Sequence, residues 1–285
     1  MTLSRDWPAP AKINLFLHVT GRRPDGYHLL QTLFQFIGLC DSLEFRVRED
    51  GRITRTSALP GVPADDDLVV RAARMLQSHA GCTLGADIGV SKRVPMGGGL
   101  GGGSSNAATV LVALDALWGL DLGADALAGL GLALGADVPV FVRGETAWAE
   151  GVGEVLVPCP QEEGAVLVIT PDCAVSTARV FTDPDLTRHT PAIKMRSFSL
   201  DRSRNDCEPV TRRLYPEVGA ALDWLAQHAQ ARMSGTGASV YAFFERIEQA
   251  EALAREVPAP WRAFATHRCN RSPLRERVRQ ERAAQ

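Results

Sequence analysis

Lysine is the scarcest charged residue in this chain. Of the 31 lysine and arginine side chains, only Lys12, Lys92 and Lys194 are lysines. Arginine supplies the rest of the positive charge. Lysine differs from arginine in carrying a compact ammonium group, whereas the guanidinium of arginine is a flat fork. The three lysines are therefore candidates for positions that require a point charge.

The chain also has little charge imbalance, no paired-cysteine motif and no long apolar run. Its formal net charge of −2 argues against non-specific binding to nucleic acid. The six cysteines form no CxxC motif and are interpreted as reduced thiols of a cytoplasmic protein. Residues 1–10 show no targeting segment. The longest uncharged run, residues 94–114, is too rich in glycine for a membrane helix, so we expect neither nucleic acid nor membrane as a partner.

The first fifty residues have the pattern of an antiparallel sheet. Apolar and other residues alternate over 12–19, and the breakers of residues 22–26 predict a turn before a second apolar stretch at 27–39. Alternation returns at 43–47, and Asp50-Gly51 is typical of a hairpin turn. These segments predict a small sheet with a polar face on its first strand.

The rest of the chain alternates between helical and extended patterns, with a composition change near 158–164 that predicts a domain boundary. Residues 183–208 have no clear periodicity, and the arginine-rich end from 268 is interpreted as a solvated or disordered extension. Helices are predicted at 65–79, 104–118, 124–134 and 217–228, a helical turn at 177–181, and extended segments at 88–90, 135–143, 165–170 and 240–244.

Six glycines fill seven consecutive positions, 97–103, directly before a predicted helix. Glycine is costly to order, so this density indicates that the backbone closely approaches another group. Free N–H groups at a helix start attract anions, and Ser104 or Ser105 is predicted to cap the helix. A Walker loop is excluded because no lysine follows the glycines, and the antiparallel pattern before them argues against a Rossmann unit. The loop therefore predicts a triphosphate site.

With its flanks, this loop resembles the second motif of the superfamily of galactokinase, homoserine kinase, mevalonate kinase and phosphomevalonate kinase. Residues 11–15 (AKINL) resemble its first motif, and residues 234–239 (SGTGAS) resemble its third. The resemblance implies a two-domain α+β fold with ATP and acceptor in the cleft between domains. Residues 1–160 would form an ATP-binding domain with a mainly antiparallel sheet, and residues 161–285 a smaller α+β domain with a basic tail from about 268.

Three longer segments resemble one branch of this superfamily. They are residues 10–17 (PAKINLFL), 23–33 (RPDGYHLLQTL) and 135–141 (GADVPVF). The resemblance runs from about residue 8 to residue 245. It implies an ATP-dependent kinase that phosphorylates the 2-hydroxyl of 4-diphosphocytidyl-2-C-methyl-D-erythritol, a precursor on the non-mevalonate route to isoprenoids.

Two residues are candidates for the chemistry itself. Asp137 stands in a predicted turn, where a carboxylate can be an ordinary turn residue, but the resemblance implies that it takes the proton of the acceptor hydroxyl or orients that hydroxyl. Lys12 projects from the polar face of its strand, and the resemblance implies that it pairs with Asp137 and offsets charge in the transition state. Asn14 shares this face and is a candidate to hold the hydroxyl.

The resemblance also implies a pocket for the cytidine diphosphate. Tyr27 and His28 follow the predicted turn and would stack on the base and hydrogen-bond to it. Phe181 resembles a second stacking aromatic, and Thr177, one helical turn earlier, would contact the diphosphate or the sugar. Without the resemblance, these residues would be read as ordinary core side chains.

ATP is the expected co-substrate, and Mg²⁺ is expected to arrive with it. The sequence shows no metal-binding cluster of His or Cys, and Ser105 is a candidate ligand. Lys92 is expected near the adenine or the ribose. The residues predicted to bind ATP are Lys92, Pro95, Met96, Gly97, Gly98, Gly99, Leu100, Gly101, Gly102, Gly103, Ser104 and Ser105.

One position departs from the family pattern, since Asp67 stands where relatives often have asparagine. Three adjacent acids, residues 65–67, near a nucleotide would be mildly unfavourable. The alternatives to the predicted activity are another kinase of the superfamily, a decarboxylase on the same scaffold, and a nucleotide-binding regulator without catalysis. The expected partner is a small molecule, and the chain is expected to be a monomer or a homodimer.

Overall fold

Two long strands form a hairpin that organises the sheet. In the computed structural model, which describes residues 3–57, 62–63 and 65–283, β1 (Leu3–Arg22) pairs antiparallel with β2 (His28–Arg48). The predicted turn at 22–26 is confirmed, and it lies at the tip of this hairpin. The segments predicted at 27–39 and 43–47 are one continuous strand.

The other edge of β2 is shared by three strands in succession. These are β5 (Ala147–Glu150) near the hairpin tip, β10 (Arg262–Cys269) in the middle and β4 (Gly85–Ser91) at the far end. The hairpin predicted at Asp50-Gly51 is wrong, because β4 already occupies that edge and β3 (Ile53–Arg55) pairs with β4 in parallel. The remaining strands are β6 (Val155–Pro158), β7 (Gly164–Thr170), β8 (Arg232–Met233) and β9 (Val240–Phe244).

The four longest predicted helices are confirmed, each beginning within three residues of its predicted start. The extended segment predicted at 135–143 is wrong, since a short helix begins after Asp137 with Pro139 in its first turn, where a missing N–H costs no helical bond. The helices are α1 (Leu68–Ala80), α2 (Gly102–Leu117), α3 (Gly123–Leu134), α4 (Val138–Arg143), α5 (Thr177–Thr182), α6 (Glu208–Leu214), α7 (Pro216–Ala226), α8 (Ile247–Ala254) and α9 (Pro273–Ala283).

Apolar side chains gather in three buried clusters along the sheet. The first lies between α1–α4 and the strands of the N-terminal half, and the second lies under α5–α8 in the C-terminal half. The third joins them, because Ile13 and Leu33 of the hairpin pack with Val166, Val168 and Tyr241 of β7 and β9. The sheet is also continuous across residue 160, because β10 pairs with β2 on one edge and with β7 on the other. The division into two domains near residue 160 stays a prediction.

The basic end of the chain is not a solvated extension, contrary to the sequence interpretation. It forms α9, which packs on β1 and α2 with Leu274 buried. The guanidinium of Arg277 lies 4.3 Å from the ring centre of Trp7, and Arg282 donates to the buried carboxylate of Asp115 over 3.1 Å. Arginine side chains can cover apolar surface while keeping a charged end for such contacts, so a basic composition alone does not indicate disorder. Among the described residues, no helix is long and apolar enough to cross a membrane.

Candidate active site

A cavity of about 950 Å³ opens between the glycine loop, the tip of the hairpin and α5. It brings together predicted site residues that are far apart in the sequence. Those that line it are Lys12, Asn14, Tyr27, His28, Lys92, residues 95–104, Asp137, Thr177 and Phe181.

The glycine loop leads directly into the N-terminus of α2. Gly97, Gly99 and Gly101 have φ angles of 67°, 72° and 73°, a region that favours glycine. The helix begins after Gly101 and no side chain caps it, so the predicted serine cap is wrong. The first N–H groups of α2 have no partner within the helix and are available to an anion in the cavity.

The density of glycines has a second cause that the sequence did not reveal. The loop packs against residues 234–239, where Ser234 Oγ donates to Gly99 O over 2.9 Å and Ser239 N donates to Gly98 O over 3.0 Å. A Cβ on Gly99 would lie 2.2 Å from Ser234 O, whereas one on Gly97 would meet nothing within 4 Å. Part of the loop thus needs glycine for contact with protein, and part of it faces open space.

Lys12 and Asp137 meet beside this loop. Lys12 Nζ lies 3.4 Å from Asp137 Oδ2 and donates to Gly99 O over 3.1 Å. The Lys12 side chain is only 4% exposed, while that of Asp137 is 33% exposed and lines the cavity. The ammonium is therefore held in a fixed position, and the carboxylate that it faces is accessible to a ligand.

Asn14 holds the other side of the Lys12 ammonium. Its Oδ1 accepts a hydrogen bond from Lys12 Nζ over 2.6 Å, and its Nδ2 donates to Thr32 Oγ1 over 2.9 Å. Its backbone N–H donates to Ser234 Oγ over 3.2 Å. One amide hydrogen of Asn14 remains for the acceptor hydroxyl, but the contacts in the structure make this residue first of all a support for Lys12.

A buried polar network holds the ammonium group of Lys92 in place at the wall of the cavity. Its Nζ is paired with the fully buried carboxylate of Asp41 and donates to Asn106 Oδ1 over 3.1 Å. Asp41 also accepts from the backbone of Arg93 and Val94 and from Asn106 Nδ2. Lys92 lines the cavity with 22% of its side chain exposed, so the network fixes one positive charge near the start of α2.

Two aromatic rings lie at the opposite end of the cavity. The rings of His28 and Phe181 are stacked, with centroids 5.1 Å apart and an interplanar angle of 28°. Tyr27 beside them is 63% exposed, which leaves its ring free to cover a ligand. Burial, together with the charges of Arg188 and Arg22, lowers the pKa of His28 below its usual value. A flat, uncharged ring system can therefore be bound at this end.

Thr177 forms the inner wall between the two ends. Its Oγ1 lies 3.1 Å from Thr236 Oγ1, in the loop that packs on Gly98 and Gly99. Both threonines line the cavity. Thr236 was not singled out from the sequence, although it lies inside the third motif.

The sequence reasoning also missed two arginines. Arg188 donates to His28 Nε2, and it lies in the segment that had no periodicity. Arg22 lines the cavity and makes no ion pair with a carboxylate among the described residues. Arg22 could have been found from its place beside the Asp-Gly turn, but no local pattern in the sequence indicates Arg188.

Asp67 does not present an unpaired charge to the cavity. Its carboxylate pairs with Arg55 over 2.7 Å and accepts from Val69 N over 2.9 Å at the start of α1. Both side chains are about nine-tenths buried, at 10% and 7% exposure. The expected repulsion of a nucleotide by Asp67 is thus reduced by a neighbouring cation that the sequence pattern did not reveal.

Ser105 does not reach the cavity, unlike its neighbour Ser104. Ser105 is fully buried, and its Oγ has no hydrogen-bond partner among the described residues. Ser104 lines the cavity in the first turn of α2. The helical rotation between adjacent residues thus turns the candidate metal ligand away from the cavity and its neighbour toward it.

Comparison with known proteins decides the family. The model for the N-terminal domain of GHMP kinases matches residues 67–145, and the model for their C-terminal domain matches residues 189–263. The chain is 57% identical to 4-diphosphocytidyl-2-C-methyl-D-erythritol kinase of Alkalilimnicola ehrlichii, covering 99% of this chain and 97% of that protein. The chain belongs to this kinase family. The enzyme of the same name from Halorhodospira halophila is 56% identical, over 94% of each chain.

Solved structures of GHMP kinases share the fold. A crystal structure of 4-(cytidine 5'-diphospho)-2C-methyl-D-erythritol kinase is similar with a TM-score of 0.78 at 34% identity, covering 92% of this chain and 98% of that chain. A crystal structure of mevalonate kinase has a TM-score of 0.68 at 15% identity over 95% of this chain and all of that one, which shows the fold alone. The predicted α+β fold and the ATP-dependent kinase class are confirmed.

Proposed function

We propose that this kinase transfers the γ-phosphoryl group of ATP to the 2-hydroxyl of 4-diphosphocytidyl-2-C-methyl-D-erythritol on the non-mevalonate route to isoprenoid precursors. The observation that supports it best is the Lys12–Asp137 pair, 3.4 Å apart. It lies between an anion site at the glycine loop and an aromatic site at the hairpin tip. The cavity can thus bind the ATP phosphates at the glycine loop and the cytidine part of the acceptor at the hairpin tip.

Asp137 is the proposed partner of the acceptor hydroxyl. As the hydroxyl oxygen bonds to the γ-phosphorus, the bond from that phosphorus to the β–γ bridging oxygen breaks, and ADP leaves with the electron pair. The hydroxyl proton passes to the Asp137 carboxylate, or that carboxylate only orients the hydroxyl and the proton passes to an oxygen of the transferred phosphoryl group. The Asp137 side chain is one-third exposed, so it can contact a bound hydroxyl. The buried Lys12 ammonium beside it keeps the carboxylate in this orientation.

The positive groups around the phosphates are proposed to act without moving. Lys12 Nζ is held by Asn14, Gly99 O and Asp137, and Lys92 is held by Asp41 and Asn106. Donors that are already oriented need no reorganisation when charge develops on the transferred phosphoryl group. The free N–H groups at the start of α2 would bind the triphosphate from the other side. We propose Lys92 beside these N–H groups rather than near the adenine or the ribose, because its Nζ would lie 3.3 Å from a Cβ on Gly102.

Mg²⁺ is proposed to bind with the nucleotide rather than in a site built by the protein. Among the described residues, no group of three or more His, Cys, Asp or Glu side chains could hold a metal ion. The Ser104 hydroxyl lines the cavity and fits the oxygen ligands that Mg²⁺ prefers, with phosphate oxygens and water supplying the rest. The cation would neutralise part of the triphosphate charge.

The cytosine is proposed to bind at the aromatic end. Tyr27 and Phe181 offer ring faces, while His28 offers a ring nitrogen for hydrogen bonding. Because His28 and Phe181 already stack on each other, the base would cover one outer face of this pair, or the rings would separate to admit it. Arg22 and Thr177 lie nearby as candidates for the diphosphate.

The test is ADP release in a coupled assay with ATP and Mg²⁺, offering 4-diphosphocytidyl-2-C-methyl-D-erythritol, homoserine, mevalonate and galactose separately. We expect turnover with the cytidine compound alone. Turnover with another acceptor would overturn the base site but keep the phosphate site. Release of CO₂ from an acid acceptor would indicate a decarboxylase, and nucleotide binding without any turnover would indicate a regulator.

His28→Ala is expected to raise the KM for the cytidine substrate about 10-fold while changing kcat little, because it removes a hydrogen bond and part of a stack far from the transferred phosphoryl group. Steady-state kinetics with varied acceptor measures this. His79→Ala, at the exposed end of α1, is the matched control and should match the parent. An unchanged KM in His28→Ala would move the base site elsewhere.

We also propose that the enzyme works in the cytoplasm with small-molecule partners only, as a monomer or a homodimer. The compartment follows from the need for ATP and a soluble cytidine substrate. Light scattering after size-exclusion chromatography separates the two oligomeric states, since the chain mass is 30.7 kDa.

A further inference from the structure

Arg188 is held in a single orientation beside the aromatic end of the cavity. Its Nε donates to His28 Nε2 over 3.1 Å. Its Nη1 donates to Leu186 O over 3.1 Å, and its Nη2 donates to Phe181 O over 3.0 Å and to Asp183 O over 2.6 Å. All three guanidinium nitrogens are therefore used, and the same side chain contacts both members of the His28–Phe181 stack.

This contact determines which nitrogen of His28 carries the proton. A guanidinium donates hydrogen bonds only and does not lose its proton in proteins. His28 Nε2 must then supply a lone pair, so the single proton of the neutral ring lies on Nδ1. His28 Nδ1 has no hydrogen-bond partner among the described residues, and the side chain lines the cavity.

We propose that Arg188 is a positioning residue that fixes His28 as the neutral Nδ1–H tautomer, so that a hydrogen-bond donor faces the acceptor atoms of a pyrimidine base. This inference rests on the proposed function. Cytosine presents O2 and N3 as acceptors beside its N4 donor, and an Nδ1–H can donate to either acceptor. The opposite tautomer would present a lone pair to them and repel them.

The charges around His28 support a neutral ring. Burial, Arg188 and Arg22 all lower the pKa of His28. The nearby carboxylates are occupied elsewhere, since Asp25 pairs with Arg23 over 2.7 Å and Asp183 pairs with Arg213 over 2.6 Å. Protonation would put a hydrogen on Nε2 and break the contact with Arg188. The KM for the cytidine substrate should therefore rise as the pH falls through this lowered pKa, below the usual range of histidine.

The first experiment is nitrogen-15 NMR of the full-length protein without substrate, with the His28 signals assigned by their loss in His28→Gln. We expect the parent to show Nδ1–H and a non-protonated Nε2. In Arg188→Met we expect a mixture of tautomers and a higher His28 pKa, whereas Arg188→Lys should restore part of the preference because an ammonium can still donate. Arg196→Met, an exposed arginine of the same segment, should match the parent.

The second experiment is kinetic. Arg188→Met is expected to raise the KM for the cytidine substrate about 10-fold with kcat within about threefold, and to shift the acid limb of the KM profile to higher pH. A parent spectrum with Nε2–H, or an Arg188→Met variant with an unchanged tautomer and KM, overturns the proposal. A third outcome separates this proposal from the proposed function. If the parent did not turn over the cytidine compound, but Arg188→Met still lost the tautomer preference of His28, the proposed function would be overturned and the control of His28 by Arg188 would stand.

Discussion

Asp137→Asn is expected to lower kcat by about 100-fold or more, while the affinity for ATP stays nearly unchanged. The asparagine keeps the size of the side chain but cannot accept the hydroxyl proton. Lys12 should stay in place, because Asn14 and Gly99 O still accept hydrogen bonds from its ammonium. The loss should therefore appear in the chemical step rather than in binding.

Single-turnover ADP formation and equilibrium binding of a non-hydrolysable ATP analogue together separate these effects. Asp125→Asn on the adjacent helix α3 is the matched control, because the Asp125 carboxylate is 90% exposed and pairs with Arg143 at the surface. It should keep the parental rate. If Asp137→Asn retained more than about a tenth of the rate, a barrier change below ~1.4 kcal/mol, the assigned role would be wrong.

Gly99→Ala is expected to destabilise the protein by about 3 kcal/mol and to abolish tight ATP binding. The new Cβ would lie 2.2 Å from Ser234 O and 2.9 Å from Gly237 O, and residue 99 has a φ of 72° that alanine rarely adopts. Both neighbours are backbone atoms, so neither can move without shifting the loop. The glycine loop and residues 234–239 would have to separate.

Thermal unfolding should show a Tm lower by roughly 5 to 10 °C, and calorimetry should show weakened ATP binding. Gly103→Ala is the control for stability, because its Cβ would lie at an ordinary distance of 3.6 Å from Leu68 Cδ1 within the first turn of α2. An equal Tm for Gly99→Ala and Gly103→Ala would contradict the view that contact with residues 234–239 requires glycine at position 99.

Much of the site could be predicted because its signals are local. Six glycines before a predicted helix, the breakers at residues 22–26 and the strand alternation at 12–19 each depend on neighbours in the sequence, and the structure has a loop, a turn and a strand there. The family segments added the candidate residues. Predictions that depended on residues far away in the sequence failed. The hairpin expected at Asp50-Gly51 does not form, because the edge of β2 that it would have used pairs with β4, a strand that begins at Gly85.

By itself, the sequence predicted a glycine loop directly before a helix, and the resemblance of its motifs implied the α+β fold and the kinase family. Both signals lie in short stretches of neighbouring residues, so neither needs the tertiary structure. Tertiary structure alone decided that Asp67 meets Arg55 and that Arg188 meets His28. It also decided that the arginine-rich end folds onto Trp7. Each of these contacts joins residues distant along the chain, and the position of one relative to the other depends on how the whole sheet packs.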